Sequence, residues 1–137
     1  MIAESDLHTA KLNGLRILLV EDEAMVAMLV EGMLTALGCQ VVEWVANIPA
    51  ALNAIDTIEF DGALLDMNLS GAVVFPVAEV LAARGLPFVF VTGYGRTAEA
   101  AARFPAAPIL KKPFDSSQLA RILKQEIAVR EEGCARE

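Results

Sequence analysis

Short apolar runs alternate with longer segments of helical periodicity along most of the chain. The runs are too short for helices and predict five strands, at residues 16–20, 40–45, 60–65, 87–91 and 108–110. The segments between and after them predict five helices, at residues 23–37, 47–55, 76–84 and 97–103 and from residue 115 onward. Regular alternation of this kind predicts an α/β fold, with a parallel sheet covered by helices on both faces.

Several predicted helices carry recognisable ends. Asn47 can cap the second helix, and Gly38 closes the first. Asp115 and Gln118 have the spacing of a capping box. In the first helix, Met25, Leu29, Met33 and Leu37 lie in helical register, and we interpret the methionines Met25, Met28 and Met33 as core packing.

The length of 137 residues suits one domain. We expect a flexible leader over residues 1–14, the domain over 15–130 and a flexible tail over 131–137. Although 55% of the residues are hydrophobic, no apolar run reaches the roughly 18 residues of a membrane span. No secretory signal is visible either, so the expected location is the cytoplasm.

The net charge and the positions of the cysteines disfavour some partners and some kinds of site. The formal net charge is −7, which disfavours nucleic acid as a partner because binding it requires a basic surface. Cys39 and Cys134 form no CxxC pair and no metal-ligand spacing. We interpret them as one buried and one exposed thiol rather than a disulfide.

Polar residues follow four of the five predicted strands. Glu21 and Asp22 follow the first strand, Asp66 the third, Thr92 the fourth and Lys112 the fifth. The carboxyl ends of parallel strands share one edge of the sheet, where ligands of open α/β sheets bind. The sequence therefore predicts that these five residues converge on one site.

The predicted site combines mutually repelling carboxylates with a lysine and a hydroxyl. Two carboxylates a few ångströms apart repel by on the order of 4 kcal/mol at an effective dielectric constant of about 20. Mg²⁺ is a suitable counter-ion, because it binds one or two carboxylates together with waters and phosphate oxygens. With Lys112 and Thr92 nearby, the set suits phosphoryl transfer, and Asp66 is the candidate nucleophile.

The motifs at these strand ends resemble those of a known family. The quoted stretches are Val20-Glu21-Asp22-Glu23, Leu64-Leu65-Asp66-Met67-Asn68, Val91-Thr92-Gly93 and Lys112-Pro113-Phe114. Their order resembles the receiver domain of two-component response regulators over about residues 15–130. Each motif alone is weak, but four in order are specific. The resemblance implies a flavodoxin-like (βα)5 fold with a parallel sheet of strand order 2-1-3-4-5.

The resemblance also implies a role for each site residue. Asp66 would accept the phosphoryl group, and Thr92 and Lys112 would contact its oxygens. Mg²⁺ would be bound by Asp22 and Asp66, by Glu21 through water and by the backbone carbonyl of Asn68. The Lys112-Pro113 peptide bond would be cis.

The resemblance implies partners as well as a site. The donor would be a sensor histidine kinase or a histidine phosphotransfer protein, and the output a contact with an unidentified downstream protein or onward phosphotransfer. No separate substrate would be turned over, so the protein would not be an enzyme.

Three positions depart from the family pattern. Ser70 stands where many receivers have proline, and Ile109 stands where an aromatic switch residue is usual. Val91 replaces alanine in a Phe-Ala-Thr-Gly signature that resembles that of alphaproteobacterial single-domain regulators. We therefore hypothesise that Thr92 and the loop carrying Tyr94 replace the usual switch.

The sequence leaves three other classes of function open: a phosphatase, a docking module and a flavin-binding protein. A haloacid-dehalogenase-like phosphatase also uses a strand-end aspartate and Mg²⁺, but it carries a second acid at the position of Asn68. A docking module that is never phosphorylated would leave the acidic residues unused. A flavin-binding protein would need a phosphate-binding loop, which the sequence lacks.

Overall fold

The computed structural model describes residues 12–93 and 97–128, and they form a five-stranded parallel sheet with helices on both faces. The strands are β1 (Arg16–Val20), β2 (Gln40–Val45), β3 (Gly62–Asp66), β4 (Asn68–Leu69), β5 (Ala72–Val73), β6 (Phe88–Thr92) and β7 (Ile109–Lys111). The helices are α1 (Ala24–Ala36), α2 (Ile48–Thr57), α3 (Phe75–Ala83), α4 (Thr97–Arg103) and α5 (Ser116–Leu123). The parallel sheet has the order β2-β1-β3-β6-β7, which confirms the predicted 2-1-3-4-5 order once the short hairpin β4–β5 is set aside.

Alternation along the central strands divides the core into two layers. Leu18 and Leu65 point toward α2, α3 and α4, whereas Ile17 and Leu64 point toward α1 and α5. All four side chains are fully buried. The central strands are therefore apolar on both faces, which explains why β1, β3 and β6 appear in the sequence as continuous apolar runs.

The predicted helix caps are present. Asn47 Oδ1 accepts a hydrogen bond from the Ala50 N–H at 2.9 Å. Asp115 and Gln118 form the reciprocal capping box at the start of α5. The helices begin and end within about two residues of the predicted positions, the usual uncertainty at helix termini.

The predicted buried face of α1 is wrong for Met25, Met28 and Leu29, whereas Met33 and Leu37 pack against the core. The buried residues are Ala27, Val30 and Leu34, and Met33 is only half-buried. Met25 is 85% exposed and Met28 is 67% exposed, so neither is core packing. Both faces of α1 carry apolar side chains, so periodicity could not identify the face that contacts the sheet.

The end of the predicted leader is packed against the domain. Leu12 is buried, and the Gly14 N–H donates to the Gly38 carbonyl at 2.7 Å. Residues 12–14 therefore pack against the domain, residues 1–11 and the tail lie outside the described residues, and a flexible leader and tail remain predictions. Cys39 is a buried free thiol, as predicted, and burial raises its pKa to about 11. Cys134 also lies outside the described residues.

Aromatic rings fill the core between β6 and α4. Phe75, Phe88, Phe90 and Phe104 pack with centroid separations between 5.4 and 6.0 Å. The Arg103 guanidinium lies 4.7 Å from the centre of the Phe75 ring. These edge-to-face contacts attach α4 to the sheet.

A π-helical turn (Lys124–Ala128) continues α5 and brings Ile127 against the sheet. Ile127 is fully buried and lies over the start of β3. A Cβ atom at Gly62 would lie only 2.6 Å from Ile127 Cδ1. Glycine at position 62 therefore allows the end of the last helix to approach the central strand.

Gly62→Ala is expected to lower the free energy of unfolding by about 1–3 kcal/mol, because the added methyl overpacks this contact. The matched control is Gly32→Ala on α1, where a Cβ would meet no atom within 4 Å. That control should raise stability by roughly 0.5–1 kcal/mol. Urea denaturation measures both, and a Gly62→Ala variant as stable as the wild type would contradict the close packing.

Candidate functional site

The strand ends bring three acidic side chains together, as predicted. Glu21 follows β1, Asp66 ends β3, and both are buried, while Asp22 is half-buried. One carboxylate oxygen from each of the three lies within 4.8 Å of the others. Thr92, also buried, ends β6 at the same edge of the sheet.

Glu21 is fixed through both its backbone and its side chain. Its N–H donates to the Val45 carbonyl at 3.0 Å, and its carbonyl accepts the Trp44 indole N–H at 2.8 Å. Its carboxylate accepts the Glu23 N–H at 3.0 Å. Sequence reasoning missed Trp44, since nothing in its position on β2 indicates that its indole reaches the neighbouring strand end.

Asp22 is bound by a residue of the β4–β5 hairpin. The Ser70 hydroxyl donates to Asp22 Oδ2 at 2.7 Å. This hydrogen bond is the main cause that lowers the pKa of Asp22 below its usual value. The sequence marked Ser70 only as a departure from proline and gave no sign of its contact with Asp22.

The carboxylate of Asp66 lies in the least solvated part of the site. Desolvation, followed by the neighbouring Glu21, raises the pKa of Asp66, and Lys112 opposes the shift. Lys112 Nζ lies 3.6 Å from Asp66 Oδ2 and 3.3 Å from Glu21 Oε1. Among the described residues, the Lys112 ammonium therefore faces two buried acids at once.

Lys112 is held in place by its backbone. Its N–H donates to the Thr92 carbonyl at 2.8 Å, which continues the pairing of β6 with β7. The Lys112-Pro113 peptide bond is cis, as the resemblance implied. Lys112 and Thr92 are therefore connected on adjacent strands beside Asp66.

Of three other residues singled out in the sequence, the structure describes Asn68 and Ile109. The Asn68 N–H lies 3.4 Å from Asp66 Oδ1, and its side-chain oxygen accepts the Gly71 N–H at 3.0 Å. A metal contact through the Asn68 carbonyl remains a prediction. Ile109 is half-buried opposite Phe90 and packs against the aromatic core. Tyr94 lies outside the described residues.

The donor set suits a small divalent cation. Within residues 12–93 and 97–128 it consists of carboxylate oxygens from three residues with no sulfur or imidazole ligand, a composition that favours Mg²⁺ over softer metals. The raised pKa of Asp66 is consistent with this, because added positive charge would stabilise its ionised form. The site can therefore hold a cation and a phosphoryl group next to each other.

Comparison with known proteins agrees with this geometry. A sequence profile for the response regulator receiver domain matches residues 17–124. The solution structure of SdrG from Sphingomonas melonis Fr1 is 41% identical with a TM-score of 0.71, over 80% of this chain and 93% of that chain. The response regulator PhyR from Brucella abortus, at 23% identity, shows the fold alone, with a TM-score of 0.78 over 97% of this chain and 54% of that chain. Among curated proteins, no sequence matches this chain.

The raised pKa of Asp66 predicts how stability depends on pH. The folded state binds the Asp66 proton more tightly than the unfolded chain, so this contribution to stability is lost as pH rises from about 4 toward the folded pKa of about 7. Asp66→Asn, which cannot ionise, should escape the loss. Its advantage over wild type in free energy of unfolding should grow by about 4 kcal/mol between pH 4 and 8 without metal, since the pKa of Asp66 rises from 3.8 to about 7 and one pKa unit corresponds to about 1.4 kcal/mol.

Urea denaturation in chelator across this pH range measures that difference. Thr57→Ala on α2, outside the site, removes no titratable group and is the control, so its difference from wild type should stay constant with pH. A constant difference between Asp66→Asn and wild type would contradict the shifted pKa.

Proposed function

The chain belongs to the response regulator receiver domain family, and on this premise we propose that it accepts a phosphoryl group from a phosphohistidine onto Asp66 in the presence of Mg²⁺. The observation that carries the proposal is the position of the Asp66 carboxylate, buried beside Glu21 and 3.6 Å from Lys112 Nζ. Two-component signalling is the process in which such domains act.

In the proposed reaction, an Asp66 oxygen attacks the phosphorus as the bond between phosphorus and the donor imidazole nitrogen breaks. The electron pair of that bond returns to the imidazole, and an acyl phosphate forms on Asp66. Lys112 is placed to stabilise charge on the phosphoryl oxygens, and the Thr92 hydroxyl is assigned the same task. The chain would catalyse only its own phosphorylation and hydrolysis.

The acidic residues would hold the metal. Asp22 and Asp66 are assigned as direct ligands, Glu21 as a ligand through water and the Asn68 carbonyl as a further ligand. Bound Mg²⁺ would neutralise the carboxylates and withdraw charge from the phosphoryl oxygens.

The phosphatase alternative is weaker. That chemistry needs an acid two residues after the nucleophile, and here Asn68 uses its side chain to accept the Gly71 N–H. A turnover assay with a generic phosphate ester separates the two functions.

A cytoplasmic location, the downstream partner and a switch through Thr92 and Tyr94 remain predictions. Among residues 12–93 and 97–128, no helix has the length and apolarity needed to cross a bilayer.

A small-molecule phosphodonor with Mg²⁺ is expected to add one phosphoryl group, and Asp66→Asn should abolish the addition by removing the nucleophile. Asp22→Ala should slow it at least about tenfold, because a direct metal ligand is lost. Asp61→Asn, which removes a carboxylate at the amino-terminal end of β3, is the control and should label as wild type does. Intact mass spectrometry measures the label, and unchanged labelling of the Asp66→Asn variant would refute the assignment.

An exposed apolar surface on α1 supports a protein as the donor. Met25, Met28 and Leu29 are 85%, 67% and 62% exposed. Their spacing of three and four residues places them on one face of the helix. Because α1 begins two residues after Asp22, this α1 apolar surface adjoins the candidate metal site. A donor that docks here would bring its histidine close to Asp66.

Met28→Glu is expected to slow phosphotransfer from a cognate histidine protein about tenfold, because it places a charge in the docking surface. Labelling by a small phosphodonor should stay unchanged, since the site itself is intact. Ala102→Glu, an exposed position on α4, is the control for added charge. Stopped-flow or gel measurement of transfer tests the claim, and equal rates for the two variants would contradict it.

A further inference from the structure

Ser70 adopts a backbone conformation that serine rarely adopts. It lies at the tip of the β4–β5 hairpin with φ of +53°, followed by Gly71 with φ of +91°. Two positive φ values at the tip of a two-residue hairpin match a turn whose first position favours asparagine, aspartate or glycine. In the part of the chain that the structure describes, Ser70 is the one non-glycine residue with positive φ.

The strained turn directs the Ser70 hydroxyl at the acidic site. Ser70 Oγ lies 2.7 Å from Asp22 Oδ2, although the two residues are 48 positions apart in the chain. The same hairpin begins at Asn68, whose N–H faces Asp66. The hairpin therefore spans the two acids that would ligate the metal directly.

We propose that Ser70 is a positioning residue for the metal, whose hydroxyl holds the Asp22 carboxylate in the orientation that binds a divalent cation. This inference rests on the proposed function and adds to it a residue that acts on a ligand. A hydroxyl that donates to one carboxylate oxygen restricts rotation of the group, so the other oxygen stays directed at the cation.

Asp22 needs such a partner more than the other two acids do. Lys112 contacts Glu21 and Asp66, and it stands on their side of the site. Asp22 lies in the loop before α1 and is half exposed, so repulsion from the two buried carboxylates favours its rotation toward solvent. The Ser70 hydroxyl opposes that rotation.

Two variants distinguish the effect of the Ser70 hydroxyl from the effect of the strained backbone conformation of the turn. Ser70→Gly removes the hydroxyl and relieves the backbone strain, whereas Ser70→Ala removes the hydroxyl and keeps the strain. Both are expected to bind Mg²⁺ about tenfold more weakly than wild type, the lower end of the effect of residues that orient metal ligands. Their free energies of unfolding in chelator should differ, with the glycine variant the more stable.

Mg²⁺ affinity is measured by titration of the Trp44 fluorescence and by calorimetry. Trp44 is the one tryptophan in the chain, and its indole binds the Glu21 carbonyl. Thr57→Ala, which removes an exposed hydroxyl on α2, is the control and should bind Mg²⁺ as wild type does.

Wild-type affinity in Ser70→Gly would overturn the proposal, even if Ser70→Ala binds weakly, because affinity would then follow the turn rather than the hydroxyl. Equal losses in both variants would support it. A different failure would be a wild-type protein that binds no Mg²⁺, or an Asp22→Ala variant that binds it as tightly as wild type. Either result would refute the metal site of the proposed function itself.

Discussion

The burial of the Asp66 carboxylate next to Glu21 is the constraint on which the site depends. Desolvation of this position, and after it the neighbouring Glu21, raise the pKa of Asp66, because two buried acids repel each other when both are ionised. The surrounding structure offsets part of this repulsion with Lys112, whose backbone is anchored on Thr92. Lys112 directly follows β7, which pairs with β6 at the edge of the sheet. The strand order therefore determines which positive charge lies beside Asp66 and Glu21.

The sequence was sufficient to predict the sheet and most of the site. The central strands β1, β3 and β6 are buried on both faces and produce continuous apolar runs, which the regular alternation with helical segments extended to the edge strands β2 and β7. Polar residues at their carboxyl ends then had to meet at one edge, and Glu21, Asp22 and Asp66 do. The capping box at Asp115 was predictable for a similar reason, because its hydrogen bonds are local.

What escaped prediction depends on contacts distant in sequence. The buried face of α1 could not be chosen, because Met25 and Leu29 are as apolar as Val30 and Leu34, which contact the sheet. The contact of Ser70 with Asp22 follows from a left-handed turn at a residue that does not favour one. Other missed features are of the same kind: the indole of Trp44 on Glu21, the π-helical turn after α5, and the four phenylalanine rings beside Ile109.

Strain and repulsion are concentrated at one edge of the molecule, whereas the core shows neither. The two core layers consist of fully buried aliphatic and aromatic side chains, and no buried side-chain nitrogen or oxygen atom among the described residues lacks a partner. At the site, by contrast, carboxylates lie within 4.8 Å of one another, and Ser70 holds an unfavourable backbone conformation. Local rules fail at functional sites more often than elsewhere, because function and not stability selects the residues there. A cation would relieve the repulsion and use the orientation that Ser70 maintains, so both unfavourable features have the same explanation.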